Sequence, residues 1–140
     1  MKFEDFIRKG DVRKVTKDAE LAKALFRTAE KDFTFFRNLK VDENSSRKLV
    51  SNYYDILRSI LEGMAILEGF KVYAHDAFTY YLIYKGESRL AEEFDRFRRI
   101  RNAINYYGRD ISVNEAKDVL QGITELIDKI KSKYAEGAEK

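Results

Sequence analysis

"LVSNYYDILRSILEGMAIL", residues 49–67, is the stretch on which the fold turns. Leu49, Tyr53, Ile56, Ile60, Met64 and Leu67 recur at three- and four-residue steps, which places them on one face of an α-helix. Leu57, Leu61 and Ala65 widen that face, so the helix is expected to be buried on more than one side. A helix of that kind lies at the centre of a bundle and needs partners around it. It is expected to stop near Gly69, because glycine tolerates the left-handed conformation that ends helices.

Partners are readable in both directions. Upstream, Asp18 is placed as an N-cap, followed by Ala22, Leu25, Phe26, Ala29, Phe33 and Phe36 on one face of a helix of about 20 residues. The polar run Asn38 to Ser46 reads as the turn between this helix and the central one. Before it, Phe3, Phe6 and Ile7 fit a short first helix ending at Gly10. Downstream, residues 72–85 read as a shorter helix with His75, Phe78 and Leu82 aligned, and "YKGES" breaks it. Leu90, Phe94, Phe97, Ile100, Ile104 and Tyr107 then mark a further long helix ending near Gly108. Ser112 with Glu115 forms a capping-box pattern that opens a last helix through Ala116, Val119, Leu120, Ile123, Ile127 and Ile130. No strand signal competes. The expected fold is all-α: a single domain over 1–140, an antiparallel, up-and-down bundle of four long helices plus one or two short ones. Residues 132–140 are expected to fray.

Composition agrees. A chain of 140 residues, 44% apolar, can bury roughly two-thirds of its unfolded surface without a staple. Charged residues reach 36%, above the usual quarter. There is no Cys, which excludes disulfides and thiolate chemistry. No apolar run approaches a membrane span and the first residues lack a signal-peptide core, so the expectation is a soluble, cytoplasmic protein without a membrane partner. With one His and no Cys, no metal site and no cofactor are expected. The P-loop, dinucleotide and G-x-S-x-G patterns are absent as well.

The net charge is only +3, but it is unevenly spread. "RRIRNAINYYGRD", residues 98–110, belongs to a run from Arg96 to Arg109 with five Arg and no acid. On a helical wheel centred on Phe97, Arg101 falls at about 40°, inside the apolar stripe. Asn105, Arg98 and Asn102 flank it at about 80°, 100° and 140°, whereas Arg96 and Arg99 point to solvent. A guanidinium on a core edge is costly unless it is paired. Its partner is either a carboxylate from another helix or a phosphate, which the planar fork of Arg suits well. His75 reads either as a packing histidine or as a general base, the side chain that titrates near neutral pH. The tyrosines at helical spacing are core or boundary residues, and exposed ones beside Arg are suited to stacking on RNA bases.

Arg101-Asn102-Ala103-Ile104-Asn105-Tyr106, late in a small helical bundle, resembles the signature of the HEPN family: an Arg, often followed by Asn, with a His four to six residues after the Arg. The order of two long helices, a shorter segment, a motif helix and a closing helix is similar too. The resemblance implies a prokaryotic protein that commonly forms a homodimer across a shared cleft. It also implies either metal-independent ribonuclease activity of the toxin type, or pairing with a minimal nucleotidyltransferase in a toxin–antitoxin-type system. By the resemblance Arg101 matches the motif Arg and Asn102 its polar neighbour. The motif His is absent: Tyr106, Tyr107 and Gly108 stand in its place. A tyrosine with a pKa near 10 is a poor base at neutral pH.

Three readings follow. In the first, the chain binds RNA or a nucleotide through Arg98, Arg101, Asn102, Asn105 and Tyr106, or partners a nucleotidyltransferase. In the second, it is an active ribonuclease with Arg101 and His75, or a Tyr, as catalytic groups. In the third, it is a helical interaction module, marked by an acid from another helix seated on Arg101.

Overall fold

In the computed structural model, which describes residues 1–135, the chain is mostly helical. The elements run α1 (Phe3–Lys9), β1 (Val12–Lys14), α2 (Ala19–Phe36), α3 (Ser46–Leu67), β2 (Phe70–Val72), α4 (Ala77–Tyr84), α5 (Ser88–Tyr107) and α6 (Val113–Ile130), with a π-helical turn at Lys131–Ala135. Four long and two short helices are those expected from the apolar periodicity.

α3 is the axis of the bundle and packs against α2, α5, α6, β2 and the π-helical turn. Its buried residues, from Leu49 through Tyr54, Leu57 and Leu61 to Ile66, occupy most of its circumference. Burying each such Leu or Ile contributes ~1.5–3 kcal/mol before the entropy of ordering it. Two glycines let neighbouring helices approach closely. A Cβ on Gly63 would stand 2.6 Å from Cε1 of Phe26 on α2, and one on Gly122 of α6 would stand 2.8 Å from Cζ of Phe97 on α5. Both rings lie in the core, so the glycines make room for aromatic knobs at the α2–α3 and α5–α6 seams.

The caps follow the sequence. Asp18 accepts from the Leu21 N–H at 3.0 Å, and Ser112 accepts from the Glu115 N–H at 3.1 Å. The Glu115 carboxylate pairs with Arg109 at 2.7 Å. In the turn before α3, Asp42 accepts from the Asn44 and Ser45 N–H groups, both at 2.9 Å, and these bonds hold its carboxyl below the usual range.

The structure departs from the sequence reading in three places. First, β1 and β2 form a two-stranded antiparallel ribbon, pairing Val12 with Val72, Arg13 with Lys71 and Lys14 with Phe70. Val12 and Val72 turn into the core while Arg13 and Lys14 face out. Three residues of alternation are too short to register against long helical periods. Second, His75 is not on a helix: it lies in the turn between β2 and α4, which begins at Ala77. Third, the segment expected to fray from 132 begins instead as part of the π-helical turn. Tyr134 donates to Glu87 at 2.7 Å, and Lys133 pairs with the same carboxylate at 2.9 Å. Those two bonds hold Glu87 below its ordinary pKa, while burial and the neighbouring carboxylate push the Tyr134 phenol up to about 12. Residues 136–140 lie outside the described residues.

Candidate functional site

α5 crosses α3 so that Phe94 stacks on the buried ring of Tyr54, with centroids 5.7 Å apart. About two turns further along α5, Arg101 follows onto the same ring. Its guanidinium carbon lies 5.2 Å from the Tyr54 centroid and 5.6 Å from that of Tyr106. The apolar contact explains why this Arg could enter the stripe that the wheel assigned it: the two rings solvate the guanidinium through their faces. The side chain is 13% exposed.

Its polar contacts are incomplete. Nη1 donates to Tyr106 Oη at 3.2 Å and to Asn102 Oδ1 at 3.3 Å. The nearest carboxylate, Asp55 on α3, is 3.6 Å from Nη2 and is itself 46% exposed. That is beyond hydrogen-bond distance. Nε is buried and has no partner. A buried N–H of a charged group left unpaired costs roughly 1–3 kcal/mol.

His75 arrives from the β2–α4 turn, with Nδ1 3.4 Å from Tyr54 Oη, so Tyr54 stands between His75 and Arg101. His75 and Arg101 line one cleft of about 530 Å³, together with Arg58, Asp32, Asp55 and Asn52. Burial pushes the His75 pKa down, and the charges of Arg58 and Arg101 push it further, against Asp55 and Glu62. The imidazole is therefore neutral at pH 7. With Nδ1–H donating to Tyr54 Oη, Nε2 carries a lone pair; in the opposite tautomer Nε2 carries the proton. Burial raises the Tyr54 phenol far above its ordinary value despite the nearby guanidinium groups, so Tyr54 keeps its proton. Arg58 is fixed by Glu62 at 3.0 Å, and Glu62 is in turn held by Lys71 of β2 at 2.7 Å. The ribbon that the sequence did not show thus braces this wall of the cleft.

A second cleft of about 530 Å³ adjoins the first and shares Asn52 and Asp55 with it. Arg47, Lys48, Ile104, Asn105 and Tyr106 complete most of its walls. Arg47 donates to the Ile104 carbonyl at 3.0 Å, and Ser51 donates to Asn105 Oδ1 at 2.6 Å.

Of the residues expected at the site, His75 lines the same cleft as Arg101, Asn102 and Tyr106 accept from the Arg101 guanidinium, and Asn105 and Tyr106 line the adjoining cleft. Arg98 does not join them as a free cation. Asp95 takes its Nε at 3.1 Å and its Nη2 at 2.8 Å, and takes Arg99 at 2.8 Å. The sequence reading missed Asn52, Tyr54, Asp55 and Arg58. A signal was present: Lys48, Asn52, Asp55, Ser59 and Glu62 recur at steps of four and three, a polar stripe along the central helix.

Among the described residues no group of three or more His, Asp or Glu is placed to hold a metal ion, and no helix is long and apolar enough to cross a membrane. No protein-family model, curated protein or solved structure matches the chain.

Proposed function

We propose that the protein is HEPN-like and binds RNA or a nucleotide by its phosphate in the cleft over Arg101. One observation carries this reading: Arg101 is held between two aromatic rings with a buried, unpartnered Nε and no carboxylate within hydrogen-bond distance. A phosphate offers the acceptors this guanidinium lacks, in the bidentate geometry its fork prefers. Arg58 lines the same cleft and adds charge, and the hydroxyl of Tyr106, from the adjoining cleft, orients the guanidinium through Nη1. The purely structural reading needs an acid seated on Arg101; Asp55 of α3 approaches to an ion-pair distance of 3.6 Å but makes no hydrogen bond to it and leaves Nε unmet.

The test is binding of single-stranded RNA across a salt series. Wild type is expected to bind with an affinity that falls as salt rises, and Arg101→Ala is expected to lose binding while keeping its fold. A chain that binds nothing, with an Arg101→Ala variant that unfolds, returns Arg101 to a structural role. By the HEPN resemblance the natural assembly is a homodimer or a pair with a minimal nucleotidyltransferase. A nucleotidyltransferase encoded beside this gene and co-purifying with the chain supports the second form.

The convergence of His75 favours a second reading, metal-independent RNA cleavage. Nε2 of a neutral His75 would take the proton of a ribose 2′-hydroxyl as O2′ attacks phosphorus, and the 5′-oxygen would leave with a proton from water, giving a 2′,3′-cyclic phosphate and a 5′-hydroxyl end. Arg101 would stabilise the charge on the phosphorane. Incubation of RNA with chelator decides it: cleavage by wild type that both His75→Ala and Arg101→Ala abolish supports it, and cleavage unchanged in either variant ends it.

A further inference from the structure

The second cleft raises its own question. A carboxylate 3.6 Å from a phosphate-binding Arg weakens that Arg's hold on an anion, so Asp55 is a cost to phosphate binding. Asp55 makes no hydrogen bond among the described residues, and its ion-pair contact there is the 3.6 Å approach of Oδ1 to Arg101. Asn52, three residues earlier on α3, likewise has no side-chain hydrogen bond there. The spacing puts the two on adjacent turns of one helix face, at the junction of the two clefts. Tyr106 is 67% exposed beside them, Ile104 is buried under the wall, and Lys48 stands at the rim with no carboxylate partner among the described residues.

An amide donor next to two carboxylate oxygens matches one nucleobase edge. Guanine presents, in order along one edge, O6 as an acceptor and then the N1–H and N2–H donors side by side. Adenine presents one donor and the N1 lone pair, which a carboxylate repels. Uracil presents a single N–H between two carbonyl oxygens, so one of them would face the carboxylate. Tyr106 supplies a ring face for stacking, which does not discriminate among bases. We propose that the second cleft is a guanine subsite, in which Asp55 accepts from N1–H and N2–H, Asn52 donates to O6, and Tyr106 stacks on the base while Arg101 holds the phosphate. This rests on the phosphate reading above and names the base that goes with it. The same edge is offered by a free guanosine nucleotide and by a guanosine within single-stranded RNA.

The test is titration of the full chain with inorganic phosphate, guanosine, inosine and adenosine monophosphates, and hexaribonucleotides of adenosine with and without one guanosine. Guanosine monophosphate is expected to bind roughly tenfold tighter than adenosine monophosphate, with inosine monophosphate between them because it lacks the N2 donor. Asp55→Asn is expected to bring the guanosine-to-adenosine ratio close to one and, by removing a charge beside Arg101, to strengthen phosphate binding. A guanosine-bearing hexamer that binds tighter than the monophosphate assigns the subsite to RNA, and equal affinity assigns it to the free nucleotide. Equal, Arg101-dependent binding of guanosine and adenosine monophosphates, or a preference that survives Asp55→Asn, overturns the guanine subsite and leaves phosphate binding standing. If neither phosphate nor any nucleotide or oligonucleotide binds, both fall.

Discussion

Arg98 and Arg101 stand three residues apart on α5 and are about equally buried, 19% and 13% exposed, yet their surroundings are opposite. Asp95 grips Arg98 through two nitrogens, and Thr79 donates to the same carboxylate oxygen at 3.1 Å. Arg101 has aromatic faces, two long hydrogen bonds from one nitrogen, a half-exposed carboxylate at 3.6 Å that makes no hydrogen bond to it, and an unsatisfied Nε. Arg98 has the environment that a folded chain gives a structural charge. Arg101 has the one left for a ligand, with desolvation already incurred and hydrogen-bonding capacity to spare. Burial of a charge therefore says little until its partners are counted.

The contrast can be broken first at Asp95. Burial disfavours its charge, but the bonds and charges of Arg98 and Arg99 with the Thr79 bond outweigh that and hold its pKa low. Asp95→Ala leaves two guanidinium groups without their carboxylate and is expected to cost about 2 kcal/mol in denaturant unfolding. An unchanged midpoint would mean that Arg98 is no better anchored than Arg101.

A smaller effect is expected at Arg101. Arg101→Met keeps the stem packed on Tyr54 and removes the unpaired Nε, so stability should stay level or rise by less than about 1 kcal/mol. Arg98→Met, measured beside it, should destabilise, because it strands Asp95.

Smaller still is the effect felt at a distance. Arg101 is one of the charges that lower the His75 pKa. Following the imidazole by NMR titration, Arg101→Met should move that pKa back toward its ordinary value, and Arg98→Met should leave it nearly unchanged. The sign for stability follows from the lowered folded pKa. Above the ordinary value of about 6.5 the neutral ring is favoured in both states. As pH falls below that, the unfolded chain takes up a proton that the folded site resists, and stability drops until the folded pKa is passed. His75→Gln is expected to flatten that part of the pH–stability curve, and a curve unaltered by the substitution would show that His75 is not held neutral.

Much of the bundle was legible because its signals are long. The apolar positions of 49–67 and the Asp18 and Ser112 caps each repeat or combine several residues. The ribbon was not, because Val12–Lys14 and Phe70–Val72 are stabilised by pairing across 56 to 60 positions of chain rather than by local pattern. That omission moved His75: with no strand ending at Val72, Tyr73 to Asp76 were absorbed into the following helix. At the site, the wheel placed Arg101 on the core edge because that depends on one helix alone. It could not tell Arg98 from Arg101, since the difference lies in which carboxylate each one meets. Asp95 was in plain view three residues before Arg98, a spacing that joins ion pairs on one helix. Tyr54 and Asp55 lie on another helix, and only the polar stripe through α3 hinted at them.

The central claim is that Arg101 is left with incomplete partners for a phosphate, and one paired measurement tests it most directly. Wild type and Arg101→Met are titrated with single-stranded RNA at low and moderate salt, and their thermal midpoints are recorded in the same buffer. The account predicts salt-sensitive binding by wild type, none by the variant, and a variant midpoint equal to or above that of wild type. A variant that melts well below wild type, from a wild type that binds no RNA at either salt, would contradict it.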